Sequence, residues 1–245
     1  MDKPIENQET YPSDGPSYRI SRSKVDLFLE CPKCFYFDRR LGIERPSGFP
    51  FSLNSAVDIL LKREFDGYRA KAQAHPVMKS AGIKAIPYDH PQIGLWRDSL
   101  KGGITYACPG TDMLITGAVD DVWINEQKEL IIVEFKATAT TQEISIDADW
   151  QKSYKRQVEL YQWLFRRNGF KVADTAYFLY CNGRADKPAF NQRLDFDMTL
   201  IPYKGSDTWI DATIKDIDRC LSSQDIPKSG SSCLYCQYRA AVGHR

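Results

Sequence analysis

Residues 117–136 read GAVDDVWINEQKELIIVEFK, and the reading of this stretch decides the fold. Two apolar, β-rich runs, residues 113–124 and 130–135, flank a polar connection over 125–129, the pattern of a β-hairpin. A turn centred on Gln127 sets Asp120 opposite Glu134. Side chains alternate along a strand, so Lys136 shares the face of Glu134. Opposed Cβ atoms lie about 5 Å apart, which lets one hard divalent cation bridge Asp120 and Glu134 with the Lys136 amine beside it. A slip of one residue would turn one acid to the other face. The plain alternative is a surface hairpin with solvated charges. Against it, Ile131, Ile132 and Val133 run unbroken into Glu134, as in a strand covered on both faces. An acid and a lysine ending such a strand are costly unless paired or bound to metal.

Outward from the hairpin, the whole chain sets limits. Its 245 residues suit one large domain with ample core, and 42% hydrophobic with 27% charged residues is ordinary for a soluble globular protein. We expect residues 1–19 to form a disordered tail and 20–245 a single domain. A net charge of +1 excludes a globally basic nucleic-acid binder, so a polyanion site must come from local clustering. No apolar run approaches a membrane span and the N-terminal residues have no apolar signal core, so the expectation is a cytoplasmic protein with no membrane partner. Seven cysteines in that compartment favour metal ligation or buried thiols over disulfides.

Along the chain, Ser23 and Asp26 stand in capping-box spacing at a helix start, and Pro32 opens a second turn or helix carrying Phe35, Tyr36 and Phe37. Residues 53–72 have helical periodicity, with Val57, Leu60, Leu61, Phe65 and Tyr68 on one arc, Asp58 at its edge and Glu64 inside it. Residues 74–110 read as an irregular insertion with a short helix near 95–100, and His75 and His90 read as structural. Residues 151–168 form a helix with Tyr154, Val158, Tyr161 and Phe165 on its apolar side and Gln157 stacked one turn from Tyr161. Lys152, Lys155 and Arg156, with Arg166 and Arg167, make it a candidate surface for a nucleic-acid backbone. Residues 176–181 read as a buried strand and 193–198 as an alternating one. Ser206 or Asp207 caps a last helix whose core face is Trp209, Thr213, Ile217 and Cys220. The fold class is α/β: a central mixed sheet bearing the hairpin, with helices on both faces.

Cys31 and Cys34 form one CxxC, Cys233 and Cys236 a second, and Cys108, Cys181 and Cys220 stand alone as buried thiols. Two CxxC pairs, one near each end, point to a four-thiolate site clasping the ends of the domain; zinc and an iron–sulfur cluster both suit four thiolates.

Gly117-Ala-Val-Asp120, then Glu134-Phe-Lys136, then Gln157-Val-Glu-Leu-Tyr161 resemble the ordered motifs of PD-(D/E)XK nucleases, most of all the RecB-like branch that includes CRISPR-adaptation exonucleases and the nuclease domains of helicase–nucleases. The opening Ser-x-Ser with Phe-Leu-Glu-Cys31-Pro32 and Phe35-Tyr36 is similar to the family's first helix. The final cysteines resemble the iron–sulfur clasp of its cluster-bearing members. The resemblance spans roughly residues 20–240 and implies a restriction-endonuclease-like core. It implies that Asp120 and Glu134 ligate Mg²⁺ or Mn²⁺, that Lys136 is the catalytic lysine, and that Gln157 and Tyr161 contact substrate and active-site water. Asp58 falls where the family has a metal-binding histidine, and as an acid it still suits Mg²⁺ or Mn²⁺. The two-plus-two cysteines depart from the family's usual one-plus-three, which leaves [4Fe-4S] and Zn²⁺ both open for Cys31, Cys34, Cys233 and Cys236.

The resemblance thus implies a metal-dependent deoxyribonuclease, an exonuclease acting on DNA ends or single strands, in repair, recombination, CRISPR adaptation or phage defence. Helicase or recombination or CRISPR-adaptation proteins are its candidate partners. The competing readings are a non-catalytic nucleic-acid-binding module on the same fold, and a structural zinc protein in which the acids play no part.

Overall fold

The computed structural model describes residues 18–46, 48 and 52–243. The expected N-terminal tail lies, up to residue 17, outside the described residues. The elements in chain order are β1 (Tyr18–Ser21), α1 (Arg22–Glu30), α2 (Pro32–Arg40), α3 (Ser52–Arg69), α4 (Pro76–Ser80), β2 (Ala85–Pro87), α5 (Ile93–Trp96), β3 (Ile104–Ala107), β4 (Met113–Gly117) and β5 (Asp121–Asn125). They continue with β6 (Leu130–Thr138), α6 (Lys152–Arg167), β7 (Thr175–Gly183), β8 (Phe196–Lys204), α7 (Ile210–Ser222) and α8 (Leu234–Val242). They fall into two compact units: the described residues up to 48 with 107–116 and those from 208 onward, and residues 52–106 with 117–207.

The larger unit holds a five-stranded mixed sheet in the order β2-β5-β6-β7-β8, with only the β6–β7 pairing parallel. The hairpin has the expected register: Asp121 pairs with Val133, Val122 with Ile132 and Trp123 with Ile131. Its turn is closed by Asn125, whose side-chain oxygen accepts the Glu129 N–H at 2.8 Å. The run 113–124 is not one strand, however. It breaks at residues 118–120, so β4 joins a different sheet and Asp120 stands in the loop just before β5.

Alternation along β6 divides its two faces. Ile131, Val133 and Phe135 join Leu61 and Phe65 of α3 and Trp123 in one apolar cluster, while Lys136 meets Gln157 of α6. Helices α3 and α6 therefore cover opposite faces, as a strand buried on both sides requires. Leu60, placed on the apolar arc from sequence, is 61% exposed; the buried stripe of α3 runs through Leu61 and Phe65. Every residue of α6 from Gln157 to Phe165 is buried, so this helix is enclosed rather than one-sided. Its buried polar residues are satisfied: Gln162 donates to the carbonyls of Ala173 and Asp174, and Glu159 accepts from Tyr203.

Residues 74–110 are not an irregular insertion. They supply β2, which pairs with β5, and α5, whose Trp96 packs edge-on against Phe165 and stacks on His90. The second strand after α6 spans 196–204 rather than 193–198, because Asn191 and Gln192 sit in left-handed turn conformations just before it. His75 is structural as expected: it caps α4 by accepting the Val77 N–H and pairs with Glu64 at 2.8 Å.

In the smaller unit, β1 runs parallel to β4, and α1 packs against α2 and α7. The N-cap of α1 is Ser21, its hydroxyl 2.9 Å from that of Ser23, so the capping box at Ser23 and Asp26 does not form. Trp209 is the N-cap of α7, whose core face is Ile210, Thr213, Ile214, Ile217 and Leu221; Cys220 lies at its edge. Among the described residues no helix is long and apolar enough to cross a membrane.

Candidate active site and thiolate centre

The candidate active site lies in the larger unit, where β6 emerges from its apolar run. Glu134 is buried, and its Oε1 accepts from Lys136 Nζ at 2.8 Å. That ammonium also donates to Gln157 Oε1 at 3.4 Å and lies 4.1 Å from the centre of the Tyr154 ring. Gln157 in turn donates through Nε2 to the Tyr161 hydroxyl at 3.0 Å, the contact expected of residues one helical turn apart. A glycine makes this possible: a Cβ at Gly117 would lie 2.5 Å from the Tyr161 ring.

Asp120 is held from two sides. Its Oδ2 accepts the backbone N–H of Phe135 at 2.8 Å, which ties the loop to the residue between Glu134 and Lys136. Its Oδ1 lies 3.3 Å from Lys62 Nζ, and the same ammonium is 2.8 Å from Asp58 Oδ2. Burial and then the charge of Asp120 raise the Asp58 pKa, with Lys62 opposing the rise. Burial works against the Lys62 charge, yet the two carboxylates hold its pKa above the ordinary lysine value. The loop is braced from α5, where the Trp96 carbonyl accepts the Val119 N–H at 3.1 Å.

Sequence reasoning misses the parts played by three of these residues. Lys62 sits four residues from Asp58 on the same helix face, a spacing that signals the pair but not its reach to Asp120. Asp121 looks like a second copy of Asp120 in sequence, but it is fully buried and takes Arg69, Arg97, the Trp123 indole N–H and its neighbour's backbone N–H. Gly117 stands in the first motif for a steric reason that only its approach to Tyr161 reveals.

The oxygens at this site suit a hard divalent cation: Asp58 and Asp120 converge on the Lys62 ammonium, Asp120 also bonds the residue next to Glu134, and the buried Asp58 Oδ1 has no hydrogen-bond partner among the described residues. The Lys62 ammonium marks where two carboxylates attract a cation. The three acids do not close into a preformed cage. Among the described residues, only the four cysteines place three or more potential ligand side chains within 4.8 Å of one another. On α6, Lys152 and Lys155 pair with Asp149 and Asp147, at 2.9 and 3.1 Å, and Arg156 is half-buried.

The thiolate centre belongs to the smaller unit. Cys31 ends α1 and caps α2, Cys233 caps α8, and Cys34 and Cys236 follow in the first turns of those helices. Both CxxC pairs thus sit at helix N-termini, where the positive dipole end favours thiolates, while burial pushes the Cys34 and Cys236 thiols up. Sulfur–sulfur distances are 3.7 Å for Cys31–Cys236 and 3.6 Å for both Cys34–Cys233 and Cys34–Cys236. The Gly230 N–H donates to Cys31 Sγ, and Arg45 donates to Cys233 Sγ, each at 3.2 Å. Burial opposes ionisation of Cys31, but the Gly230 and Cys34 N–H groups and its thiol neighbours hold its pKa down to about 7.

A sequence model of the PD-(D/E)XK nuclease superfamily matches residues 53–241. The chain belongs to the PD-(D/E)XK nuclease superfamily. The mixed sheet flanked by helices is the restriction-endonuclease-like architecture of that superfamily. No curated protein matches the chain. Among solved structures, the crystal structure of SSO0001 is similar, with a TM-score of 0.43 and 14% identity, covering 91% of this chain and 84% of that one. That likeness is too distant to bear on activity.

Proposed function

We propose that this PD-(D/E)XK chain is a DNA nuclease that hydrolyses phosphodiesters with Mg²⁺ or Mn²⁺ and acts as an exonuclease on DNA ends or single strands. The observation that carries this reading is the chain Tyr161–Gln157–Lys136–Glu134, set beside the Asp120 carboxylate by the Phe135 N–H. Asp58, Asp120 and Glu134 would hold the ion. Such an ion, when bound, polarises the scissile phosphate and lowers the pKa of its water. Lys136 would orient the attacking water or neutralise charge growing on the phosphate, from a position set by Glu134 and Gln157. Tyr161 holds the Gln157 amide so that its carbonyl oxygen, not its NH₂, faces Lys136. Lys152, Lys155 and Arg156 would meet the DNA backbone by exchanging their acidic partners for phosphates.

For the cysteines we propose one tetrahedral Zn²⁺ rather than [4Fe-4S]. Four sulfurs about 2.3 Å from a single ion are spaced about 3.8 Å apart, close to the separations found, whereas a cubane would hold them wider. The proposed setting is cytoplasmic, with partners among helicases and recombination or CRISPR-adaptation proteins.

The rival, a binding module without cleavage, draws on Lys62, which already neutralises Asp58 and Asp120. One experiment decides between them: end-labelled linear and circular DNA, single- and double-stranded, incubated with Mn²⁺, with and without EDTA, using the wild-type chain and Glu134→Gln. Mn²⁺-dependent loss of linear substrate by the wild type alone supports the nuclease. Intact substrate in every lane supports the rival.

A further inference from the structure

A cleft of about 480 Å³ in the smaller unit lies between α2 and α8, beside the thiolate centre. Its walls carry three rings, Phe37, Tyr235 and Tyr238, and three cations, Lys33, Arg45 and Arg239. Arg45 is committed: it pairs with Glu30, donates to Cys233 Sγ and stacks 4.6 Å from the Tyr235 ring. Lys33 and Arg239 make no ion pair with an acid among the described residues, and both hover over Phe37, at 5.9 and 6.0 Å. Glu44, the acid of the cleft, is already matched by Lys24 and Arg39. Tyr238 is 69% exposed, a large ring left bare beside uncompensated positive charge.

We infer that this cleft binds a short run of single-stranded DNA, with bases stacked on Tyr235 and Tyr238 and phosphates met by Lys33 and Arg239. It rests on the nuclease reading only for the choice of DNA as ligand. Rings interleaved with cations suit a single strand, because every base offers a π-face and every nucleotide a phosphate. The centre of a protein docking face is depleted of charged residues, whereas this cleft keeps Lys33 and Arg239 without an acidic partner among the described residues. The cleft also depends on metal. No residue of α8 is buried, so the helix carrying Tyr235, Tyr238 and Arg239 is pinned by Cys233 and Cys236. Filling the thiolate centre builds the wall on which the bases stack.

The test uses the full-length chain carrying Glu134→Gln, to prevent cleavage, and a fluorescent oligo-dT 20-mer. Tyr238→Ala is expected to weaken binding about 5- to 10-fold. Lys33→Ala, at a half-buried position, and Arg239→Ala, at an exposed one, are each expected to flatten the slope of log affinity against log salt by about 0.7. Photocrosslinks from 5-iodouracil should map to Tyr235 or Tyr238. With Glu134 restored, Tyr238→Ala should hydrolyse bis-p-nitrophenyl phosphate at the wild-type rate. Unchanged affinity and salt slope, or crosslinks confined to other residues, overturn the inference. A wild-type chain that binds and crosslinks at the cleft but never hydrolyses the small diester overturns the nuclease reading and leaves the cleft standing.

Discussion

Lys62 holds its ammonium nitrogen 3.3 Å from Asp120 Oδ1 while bonding Asp58 at 2.8 Å, so one lysine neutralises two of the acids that a divalent ion would need. Metal loading at the proposed site would therefore compete with an internal cation. Lys62→Met should bind Mn²⁺ at least several-fold more tightly than the wild type in calorimetric titration. Without metal the variant should melt lower, because Asp58 and Asp120 then repel each other unscreened. Equal or weaker Mn²⁺ binding would show that Lys62 does not contest the site.

Adjacent acids should separate cleanly by effect. Asp120→Asn keeps an acceptor for the Phe135 N–H, so stability should stay within about 1 kcal/mol while cleavage falls by about 100-fold or more. Asp121→Asn leaves Arg69 and Arg97 with the half-exposed Asp66 as their remaining carboxylate beside a fully buried neutral amide, and should cost about 2–4 kcal/mol. Denaturant melts and a cleavage assay on both variants make the comparison.

Lys136→Ala should lower the cleavage rate by about 100-fold with DNA affinity little changed, since the role proposed for it lies in the transition state. Tyr161→Phe removes the acceptor of the Gln157 amide, worth about 2- to 10-fold in rate. A Tyr161→Phe loss as large as that of Lys136→Ala would mean that the hydroxyl meets the substrate directly.

Gly117→Ala should destabilise the larger unit by about 1–3 kcal/mol, because the new methyl must push the Tyr161 ring from the sheet. Near-ultraviolet circular dichroism and thermal melting would register it. Gly230→Ala is the counterpart in the smaller unit: its Cβ would lie 2.1 Å from the Glu30 carbonyl oxygen, and moving it withdraws the N–H bonded to Cys31.

Metal removal should act locally. Stripping the thiolate centre with a strong chelator should release one Zn²⁺ per chain and speed hydrogen exchange across α8 first, with β6 and α6 still protected. A brown protein carrying iron and labile sulfide would replace zinc with a cluster.

Local patterning determined much of this protein. Alternation and a polar turn were enough to read the β5–β6 register, because a strand's faces follow from position alone. The spacing of Gln157 and Tyr161, and of each CxxC, likewise follows from one helical turn. What sequence could not decide was which neighbours arrive from afar. Residues 113–124 look continuous, yet the strand breaks at 118–120 where Trp96 captures Val119 and Phe135 captures Asp120. Asp120 and Asp121 are the same letter, and only the arrival of Lys62 at one and of Arg69 and Arg97 at the other tells them apart. The four sulfurs come from positions about two hundred residues apart, and their 3.6–3.7 Å spacing exists only once both pairs are brought together. A charge or thiol takes its meaning from what surrounds it within a few ångströms, and that is set by long-range packing rather than by chain neighbours.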